Sequence, residues 1–423
     1  MKLKSRRQLV NYLNILDQPI KFNPFLFSRT FFLWALLGLM GGLIAGIYWI
    51  TLEFVMHFLG QFEGWLVVPT MAISGLLAGL IIHFIGDPGE ISLIVNNIRF
   101  NKGKLEPKRN PSMILSSLLC VGSGGSLGPE APLVQVTGST GTWLGKIFRL
   151  KGEELRSMSI AGMAAGFTAL FGAPLGGSLF ALEILHHKHV VQYYKAITPA
   201  LVSSLFSYIV FAFIISLGLG AVWEVPIYQY EGMFDFILAV LYGIVAAAVG
   251  WFFIYFTKGF KRIFELKKMP IYIKMMIGGT ILGLISYAFP ITRYFSHHEV
   301  NELLSTSNTL WMLLAILFFK ITAISITVTS GWRGGFIIPL FFVGATIGLI
   351  IVEIFPDINA SLAIICSMAA INSTVTRTPM STTILIATLT GFTYLIPILF
   401  ASLTGYFLAP KLPFIAAQLR EEK

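Results

Sequence analysis

Charged side chains and cysteines are both scarce in this chain of 423 residues. Only 12% of the residues are charged and 56% are hydrophobic, whereas about a quarter of the residues in soluble globular domains are charged. This deficit excludes an ordinary soluble domain. The two cysteines, Cys120 and Cys366, lie in apolar surroundings, so we expect them to be packing residues rather than a disulfide or a metal site.

Long apolar runs recur between Thr30 and Leu408, the last of them from Thr383 to Leu408. Several approach the ~20 residues that a spanning helix needs, so the sequence predicts an all-α polytopic membrane protein. We expect residues 1–29 to form a cytoplasmic N-terminal segment, 30–410 the transmembrane domain and 411–423 a C-terminal tail. No short apolar core with a small-residue cleavage site opens the chain, so we expect no removed signal peptide.

Two stretches, from Met113 to Leu144 and from Ile160 to Leu185, are too interrupted by Gly, Pro and Ser to form single spanning helices. Broken helices are therefore predicted in both. Irregular backbone at membrane depth is tolerated only where protein or a water-filled cavity satisfies its polar groups. The interrupted stretches thus indicate the path of a substrate.

The formal net charge of +10 comes from basic residues in short clusters between the apolar runs. This distribution is typical of the positive-inside bias, which places these loops and the N-terminus in the cytoplasm and argues against nucleic acid as a partner. The clusters are Lys2, Lys4, Arg6 and Arg7; Arg99, Lys102, Lys104, Lys108 and Arg109; and Lys258, Lys261, Arg262, Lys267 and Lys268.

A lone carboxylate stands in the segment Gly128-Pro129-Glu130-Ala131-Pro132. A charge at the bilayer centre costs at least ~2.5 kcal/mol, so such residues usually mark ion pathways or proton relays. Glu130 is therefore a candidate functional residue. The alternative is an ordinary acid at a wet membrane surface.

The two halves of the chain, approximately 30–220 and 230–410, repeat a pattern of spacing. Met163-Ala164-Ala165 begins eleven residues before Pro174, and Met368-Ala369-Ala370 begins eleven before Pro379 (174 − 163 = 379 − 368). Upstream of each, a Gly-x-x-x-Pro segment ends at Pro132 or Pro339. Matched Gly/Pro-interrupted segments in two halves indicate a transport site near the membrane midplane. Whether the repeats run parallel or inverted stays open.

These motifs resemble those of the CLC chloride channels and antiporters of the bacterial type. The segment Gly128 to Gln135 is similar to the family's Gly-Lys/Arg-Glu-Gly-Pro-x-x-Gln motif, and Gly335 to Pro339 to its Gly-x-Phe-x-Pro. Further stretches resemble bacterial members: 148–153, 164–166, 171–175, 179–183 and 376–380.

The resemblance implies an inverted repeat of tilted and broken helices, forming a homodimer in the bacterial inner membrane. It implies an anion pathway within each subunit for chloride or a similar anion, with no cofactor. Because the chain ends at Lys423, cytoplasmic regulatory (CBS) domains are not expected.

The resemblance also implies roles for individual residues. Helix N-termini present unpaired N–H groups and partial positive charge, so they bind anions without a full cation. On this basis the backbone around Gly128, Pro129 and Ala131, with the amides of Phe336 and Ile337, is expected to hold the anion. Glu130 matches the gating glutamate, whose carboxylate occupies an anion position and swings away when protonated or displaced.

Two anion ligands of the family pattern are missing here. The stretch that matches Gly-Ser-Gly-Ile-Pro reads Gly86-Asp87-Pro88-Gly89-Glu90-Ile91, which leaves Pro88 or Gly89 in place of the serine. Phe414 stands where the family has a tyrosine. Losing two hydroxyl donors, each worth about 0.5 to 1.5 kcal/mol, is expected to weaken the inner anion site. Asp87 and Glu90 are expected to cap a helix, and Phe414 to form an apolar constriction.

A third departure concerns protons. Proton-coupled bacterial members carry an inner glutamate just after the residue matching Glu183, and this chain has Ile184 there. We therefore expect a gated anion channel or a weakly proton-coupled transporter. A chloride/proton antiporter and a fluoride/proton antiporter are the alternatives, because some coupled members also lack that glutamate.

Other polar residues allow two interpretations each. Arg333 either adds a cation beside the anion-binding loop or snorkels to an interface, and Lys320 is either a pathway charge or a snorkelling residue. His186, His187 and His189 close a helix, so no metal site is expected there.

The alternative from another class is an intramembrane hydrolase, but no Gly-x-Ser-x-Gly elbow comes with a plausible helical histidine partner.

Overall fold

A computed structural model describes residues 28–89, 91–100, 103–185, 190–216, 222–225, 232–266 and 269–418. The described part of the chain divides into two units between Leu33 and Trp34. Several residues singled out above lie outside the described residues: Lys2, Lys4, Arg6, Arg7, Glu90, Lys102, His186, His187, His189, Lys267 and Lys268.

Sixteen α-helices and no β-strand occupy the described part of the chain. They are α1 (Arg29–Gly60), α2 (Val67–Ile85), α3 (Ile91–Phe100), α4 (Asn110–Gly122), α5 (Glu130–Ile147), α6 (Gly152–Phe171), α7 (Pro174–Glu183), α8 (Val190–Ile215), α9 (Phe234–Leu266), α10 (Ile271–Ala288), α11 (Glu299–Ser305), α12 (Leu310–Ser330), α13 (Ile337–Ile354), α14 (Ala360–Thr376), α15 (Pro379–Thr390) and α16 (Leu395–Phe407).

Among the described residues, seven helical segments are long and apolar enough to cross a membrane by length and composition. They belong to α1, α2, α8, α9, α10, α12 and α13. Their mean hydropathies lie between 1.5 and 2.4, and α13 is the most buried of them inside the protein. The predicted all-α polytopic class is therefore confirmed.

Both stretches that the sequence predicted to be broken are broken. In the first, α4 ends at Gly122 and α5 begins at Glu130, with irregular backbone between them. In the second, α6 ends at Phe171 and α7 begins at Pro174. Proline is favourable at the first position of a helix because its missing N–H has no intrahelical partner there. The sequence therefore encodes the restart of α7 as well as the end of α6.

The break between α14 and α15 has the same backbone form as the break between α6 and α7. Gly172 follows α6 with φ 61° and Arg377 follows α14 with φ 61°, both in the left-handed region. In each case one further residue leads to a proline that starts the next helix, Pro174 or Pro379. The repeat that residue spacing predicted is thus also a repeat of local structure.

The irregular segments of the two halves pair directly with each other. Gly128 and Gly335 form an isolated antiparallel bridge, in which each amide donates to the other residue's carbonyl at 2.7 Å. Each glycine lies four residues before its motif proline, Pro132 or Pro339, so the bridge joins equivalent positions. Antiparallel pairing of equivalent residues implies an approximate local two-fold rotation. An inverted repeat has this relation between its halves.

Helix packing follows the same correspondence. The pairs α5 with α6 and α13 with α14 are extensive contacts within their halves, while α2 of the first half packs along α10 of the second. Glycines allow the close approach, because a Cβ at Gly75 or Gly279 would meet backbone of the opposite helix. The paired loops therefore lie within a tightly packed core in which α5 and α13 begin.

The final apolar run does not form one helix. The structure divides the stretch from Thr383 to Leu408 at Gly391, where φ is 118°, so that α15 ends at Thr390 and α16 begins at Leu395. Glycine adopts this conformation without the steric cost that other residues carry. A run that is continuous by hydropathy is thus a fourth broken pair of helices.

Candidate functional site

Glu130 is fully buried at the point where two helices begin. It is the first residue of α5, and its Oε1 accepts a hydrogen bond of 2.9 Å from the backbone amide of Ile338 in the first turn of α13. The carboxylate therefore faces the positive ends of both helix dipoles. Its Oε2 accepts no hydrogen bond from the described residues.

The glycines beside this carboxylate leave the space that it occupies. A Cβ added at Gly335 would lie 2.6 Å from both Cβ and Cδ of Glu130, and one added at Gly128 would lie 2.7 Å from Cδ. Real Cβ atoms essentially never come so close. The bridge between the two glycines therefore fixes a small cradle, and the carboxylate fills it.

Helix N-termini and small residues together make an anion site, and a carboxylate is an anion. The first amides of α13 have no intrahelical acceptor, so one of them is satisfied by Glu130. An inorganic anion in the same place would accept the same bond once the side chain moved out. The geometry thus places a buried carboxylate at a position whose amide donor is also suited to a small anion.

The predicted anion-binding residues lie close to this position. Ala131 and Ile337 are buried next to Glu130 and Ile338 in sequence, and Pro129 precedes α5. The ring of Phe336 lies edge-on to that of Phe414, with 4.8 Å between centroids. Phe414 also contacts Phe253 at 5.2 Å. The structure brings these residues together although Phe414 is more than 280 residues from Glu130 in the chain (414 − 130 = 284).

A cavity of about 460 Å³ is lined by Ala131, the residue next to Glu130 in the chain. Its inner wall includes Leu127, Ala131, Phe336 and Phe414. The ionisable residues along the rest of its wall are predominantly basic: Arg333, Lys258, Lys261, Lys274, Asp87 and Glu265. The cavity therefore leads from a basic region to the aromatic pair.

The loop after α2 forms part of the same wall. Gly89 lines the cavity and Pro88 is buried. Asp87 accepts a bond of 2.8 Å from the amide of Gly89, which forms a local turn before α3. No hydroxyl is present at Pro88 or Gly89, so this loop offers backbone groups only.

Arg333 and Lys320 occupy different environments. Arg333 donates to Asp87 Oδ1 at 2.8 Å and to the carbonyl of Gly89 at 3.2 Å. Sequence reasoning missed this pairing, since the partners are 246 residues apart. Lys320 is fully buried in α12 and donates to the carbonyls of Thr292 at 2.9 Å and Tyr294 at 3.1 Å. It is not among the residues that line the cavity.

The residues at the end of α7 are also defined. Ile184 is 1% exposed and offers only its carbonyl, which accepts a bond of 3.3 Å from Gln418. Its neighbour Glu183 accepts bonds from the amides of Met380 and Ser381 and from the Ser381 hydroxyl, at 3.1, 2.8 and 2.7 Å. Glu183 thus satisfies the N-terminus of α15. No spacing or motif in the sequence predicts this contact.

Known proteins share this architecture and sequence pattern. The family model described as voltage gated chloride channel matches residues 74–410. The chain is 28% identical over 364 residues to a putative chloride channel protein, ClcB-like, of Ralstonia nicotianae, covering 81% of this chain and 82% of the relative.

Two solved structures have the same fold. A slow cyanobacterial Cl⁻/H⁺ antiporter superimposes with a TM-score of 0.81, covering 92% of this chain and 96% of the other. A CLC-type fluoride/proton antiporter superimposes with a TM-score of 0.82, covering 92% and 97%. Each is 20% identical to this chain.

Proposed function

This chain belongs to the voltage-gated chloride channel family, and from that premise we propose how it works. It transports chloride or a similar small inorganic anion across a membrane. Glu130 is the gate, and the amides at the starts of α5 and α13 form the anion site. The protein acts as a gated anion channel or a weakly proton-coupled transporter rather than as an enzyme.

One observation carries this proposal: the buried carboxylate of Glu130 accepts a hydrogen bond from the Ile338 amide. A buried ion requires compensation, and here it comes from two helix N-termini rather than from a basic side chain. A mobile anion receives the same stabilisation when the side chain leaves. The carboxylate and the transported anion therefore compete for one position.

The environment of Ile184 favours weak coupling or none. A side chain that relays protons must be ionisable, and Ile184 is a buried alkyl group. Tight exchange with protons is the second candidate function, with chloride or fluoride as the anion. Its support is the likeness in fold to a chloride/proton and a fluoride/proton antiporter.

We propose that the protein lies in a lipid bilayer and packs against a second copy of the chain. Large apolar side chains are exposed along α7, α8, α15 and α16, and burying them against lipid or a second subunit removes that surface from water. We place the protein in the bacterial inner membrane with the N-terminus in the cytoplasm, on the positive-inside bias. Such exposed residues include Leu175, Leu205, Ile209, Met380 and Ile396.

The test is flux through purified protein in liposomes, with chloride, fluoride and protons measured together. Wild-type protein is expected to move chloride or fluoride with a rate that depends on pH. Glu130→Gln and Glu130→Ala remove the charge that competes for the site, so anion flux is expected to continue without that pH dependence. Glu353→Gln, which removes an exposed carboxylate in α13, is the control.

Two results would contradict the proposal. A wild-type pH response retained by both Glu130 variants would remove Glu130 from the gate. Uphill proton movement in a fixed ratio to anion movement, driven by a chloride or fluoride gradient, would replace both the channel and weak coupling with tightly coupled exchange.

A further inference from the structure

We propose that Arg333 receives anions entering through the basic cavity, and that Asp87 is its displaceable internal counter-ion. An entering anion exchanges with the Asp87 carboxylate before it moves on to the site at Glu130. This inference rests on the proposed function, because it concerns the same path. It assigns the path a second carboxylate, apart from Glu130, that competes with the transported anion.

Arg333 is a buried cation in the cavity wall, with its side chain only 6% exposed. A buried ion without a partner is strongly destabilising, so its charge must be balanced by an anion. Its Nη1 bonds to the carbonyl of Gly89 and its Nη2 to the carboxylate of Asp87. The carbonyl bond positions the guanidinium, and the carboxylate supplies the balancing charge.

Asp87 differs from its partner in exposure. Its side chain is 68% exposed, so solvating the carboxylate on release costs little. It stands in an irregular loop between Gly86, with φ 116°, and Gly89, with φ 84°. Gly86 and Gly89 can change their backbone angles at low cost, whereas Pro88, directly after Asp87, has a fixed φ. The partner that leaves is thus Asp87, while Arg333 stays in place.

The surroundings of the pair favour an arriving anion. Lys261 forms its own ion pair with Glu265 at 3.8 Å. Lys258 and Lys274 line the same cavity, and each lies 5.7 Å from an aromatic ring centroid. Four basic and two acidic side chains line the cavity, so basic side chains predominate in its wall. The volume of about 460 Å³ is also ample, because one water occupies about 30 Å³ in the liquid.

The path is continuous from this pair to the aromatic residues. Arg333 precedes Gly334 and Gly335 in the loop that leads into α13, and Gly334, Phe336 and Phe414 line the same cavity. An anion released by Arg333 therefore moves along a wall that ends beside Ala131. The binding of an anion at Arg333 accordingly determines the half-saturating anion concentration of the path.

Asp87→Asn is the central variant, because asparagine keeps the shape and the acceptor for the Gly89 amide while it removes the charge. Once Asp87 no longer neutralises Arg333, the half-saturating chloride concentration in liposome flux is expected to fall by about three-fold or more. Arg333→Gln is expected to raise it, since the binding charge is lost. Glu265→Gln removes the same charge from the same cavity and is expected to have a smaller effect.

The double variant Asp87→Asn with Arg333→Gln tests whether Asp87 acts through its contact with Arg333 or through the effect of its charge on the whole cavity. If Asp87 acts through Arg333, the Asp87 substitution is expected to change the half-saturating concentration little in the Arg333→Gln background. If the Arg333 variants do not elute as folded protein in detergent, the test is the half-saturating chloride concentration of Asp87→Asn compared with that of Glu265→Gln.

Equal effects of Asp87→Asn and Glu265→Gln would overturn the inference, as would an undiminished Asp87 effect in the double variant. Those outcomes leave the gate untouched, provided that Glu130→Gln still abolishes the pH dependence. An absence of anion flux in the wild type would instead contradict the proposed function itself.

Discussion

At the scale of single residues, the position of Glu130 depends on what its neighbours lack. Gly128 and Gly335 have no side chain where the carboxylate lies, and a single amide, that of Ile338, bonds to Oε1. The carboxylate of Glu130 is therefore held by the space beside these glycines and by a backbone amide. A change as small as one methyl group is expected to move it.

Gly335→Ala tests this. The new Cβ would approach Cβ and Cδ of Glu130 to 2.6 Å, so the carboxylate is expected to leave the Ile338 amide. Anion flux in liposomes is then expected to lose most of its pH dependence and to resemble that of Glu130→Ala. Since the bridge with Gly128 also passes through this residue, monodispersity in detergent is measured alongside flux.

The matched control is Gly259→Ala in α9, where an added Cβ meets nothing within 4 Å. Alanine is favoured over glycine in a helix by about 1 kcal/mol, so this variant is expected to fold well and to keep the wild-type pH response. A folded Gly335→Ala protein with an unchanged pH response would show that the carboxylate does not need this cradle.

Some of the site residues could be predicted from the sequence. Glu130 was evident from sequence because a carboxylate between prolines in an apolar chain is costly. The pairing of Arg333 with Asp87 was not, because the two residues come from different halves and neither local spacing nor periodicity relates them. Contacts across the fold need a structure or covariation.

At the scale of helices, one side chain of the first half caps a helix of the second. Glu183 accepts bonds from the amides of Met380 and Ser381 at the start of α15. A carboxylate at a helix N-terminus contributes typically 0.3 to about 1 kcal/mol, and up to ~2 kcal/mol where it is partly buried. Glu183→Gln is therefore expected to lower the thermal unfolding temperature in detergent.

Glu353→Gln is the matched substitution at the other end of a helix. Glu353 is exposed in the last turn of α13, where a negative charge opposes the helix dipole. Its replacement is expected to leave the unfolding temperature unchanged or slightly higher. If both variants changed the unfolding temperature equally, the charge of Glu183 at the start of α15 would not be what stabilises the packing of α7 against α15.

Helix breaks were predictable where proline and glycine combine, and less so elsewhere. Pro174 and Pro379 start helices as their sequence context indicates. The break at Gly391 has no such proline, and the apolar residues around it are compatible with one long helix. Gly391 permits the φ of 118° there, but a single glycine in an apolar run does not by itself predict a break.

At the scale of the whole molecule, the spacing of prolines predicted a repeat but left its direction open. The bridge between Gly128 and Gly335 indicates that the repeat is inverted, because equivalent residues pair in antiparallel fashion. Two broken segments, each with unsatisfied amides, thereby meet at one buried point. Gly128 and Gly335 come from different halves, so the cradle around Glu130 exists only when both are folded.

Membrane orientation is the remaining whole-molecule prediction. Both native cysteines are buried, so cysteines introduced at exposed sites report access cleanly. Lys108 and Lys261 belong to basic clusters, and Glu63 lies beyond the end of α2 that is opposite Asp87. In intact bacterial cells, an impermeant maleimide is expected to label Glu63→Cys but neither Lys108→Cys nor Lys261→Cys, with all three labelled after permeabilisation. Labelling of the lysine positions in intact cells would reverse the assigned orientation, because the positive-inside bias would then have failed for this chain.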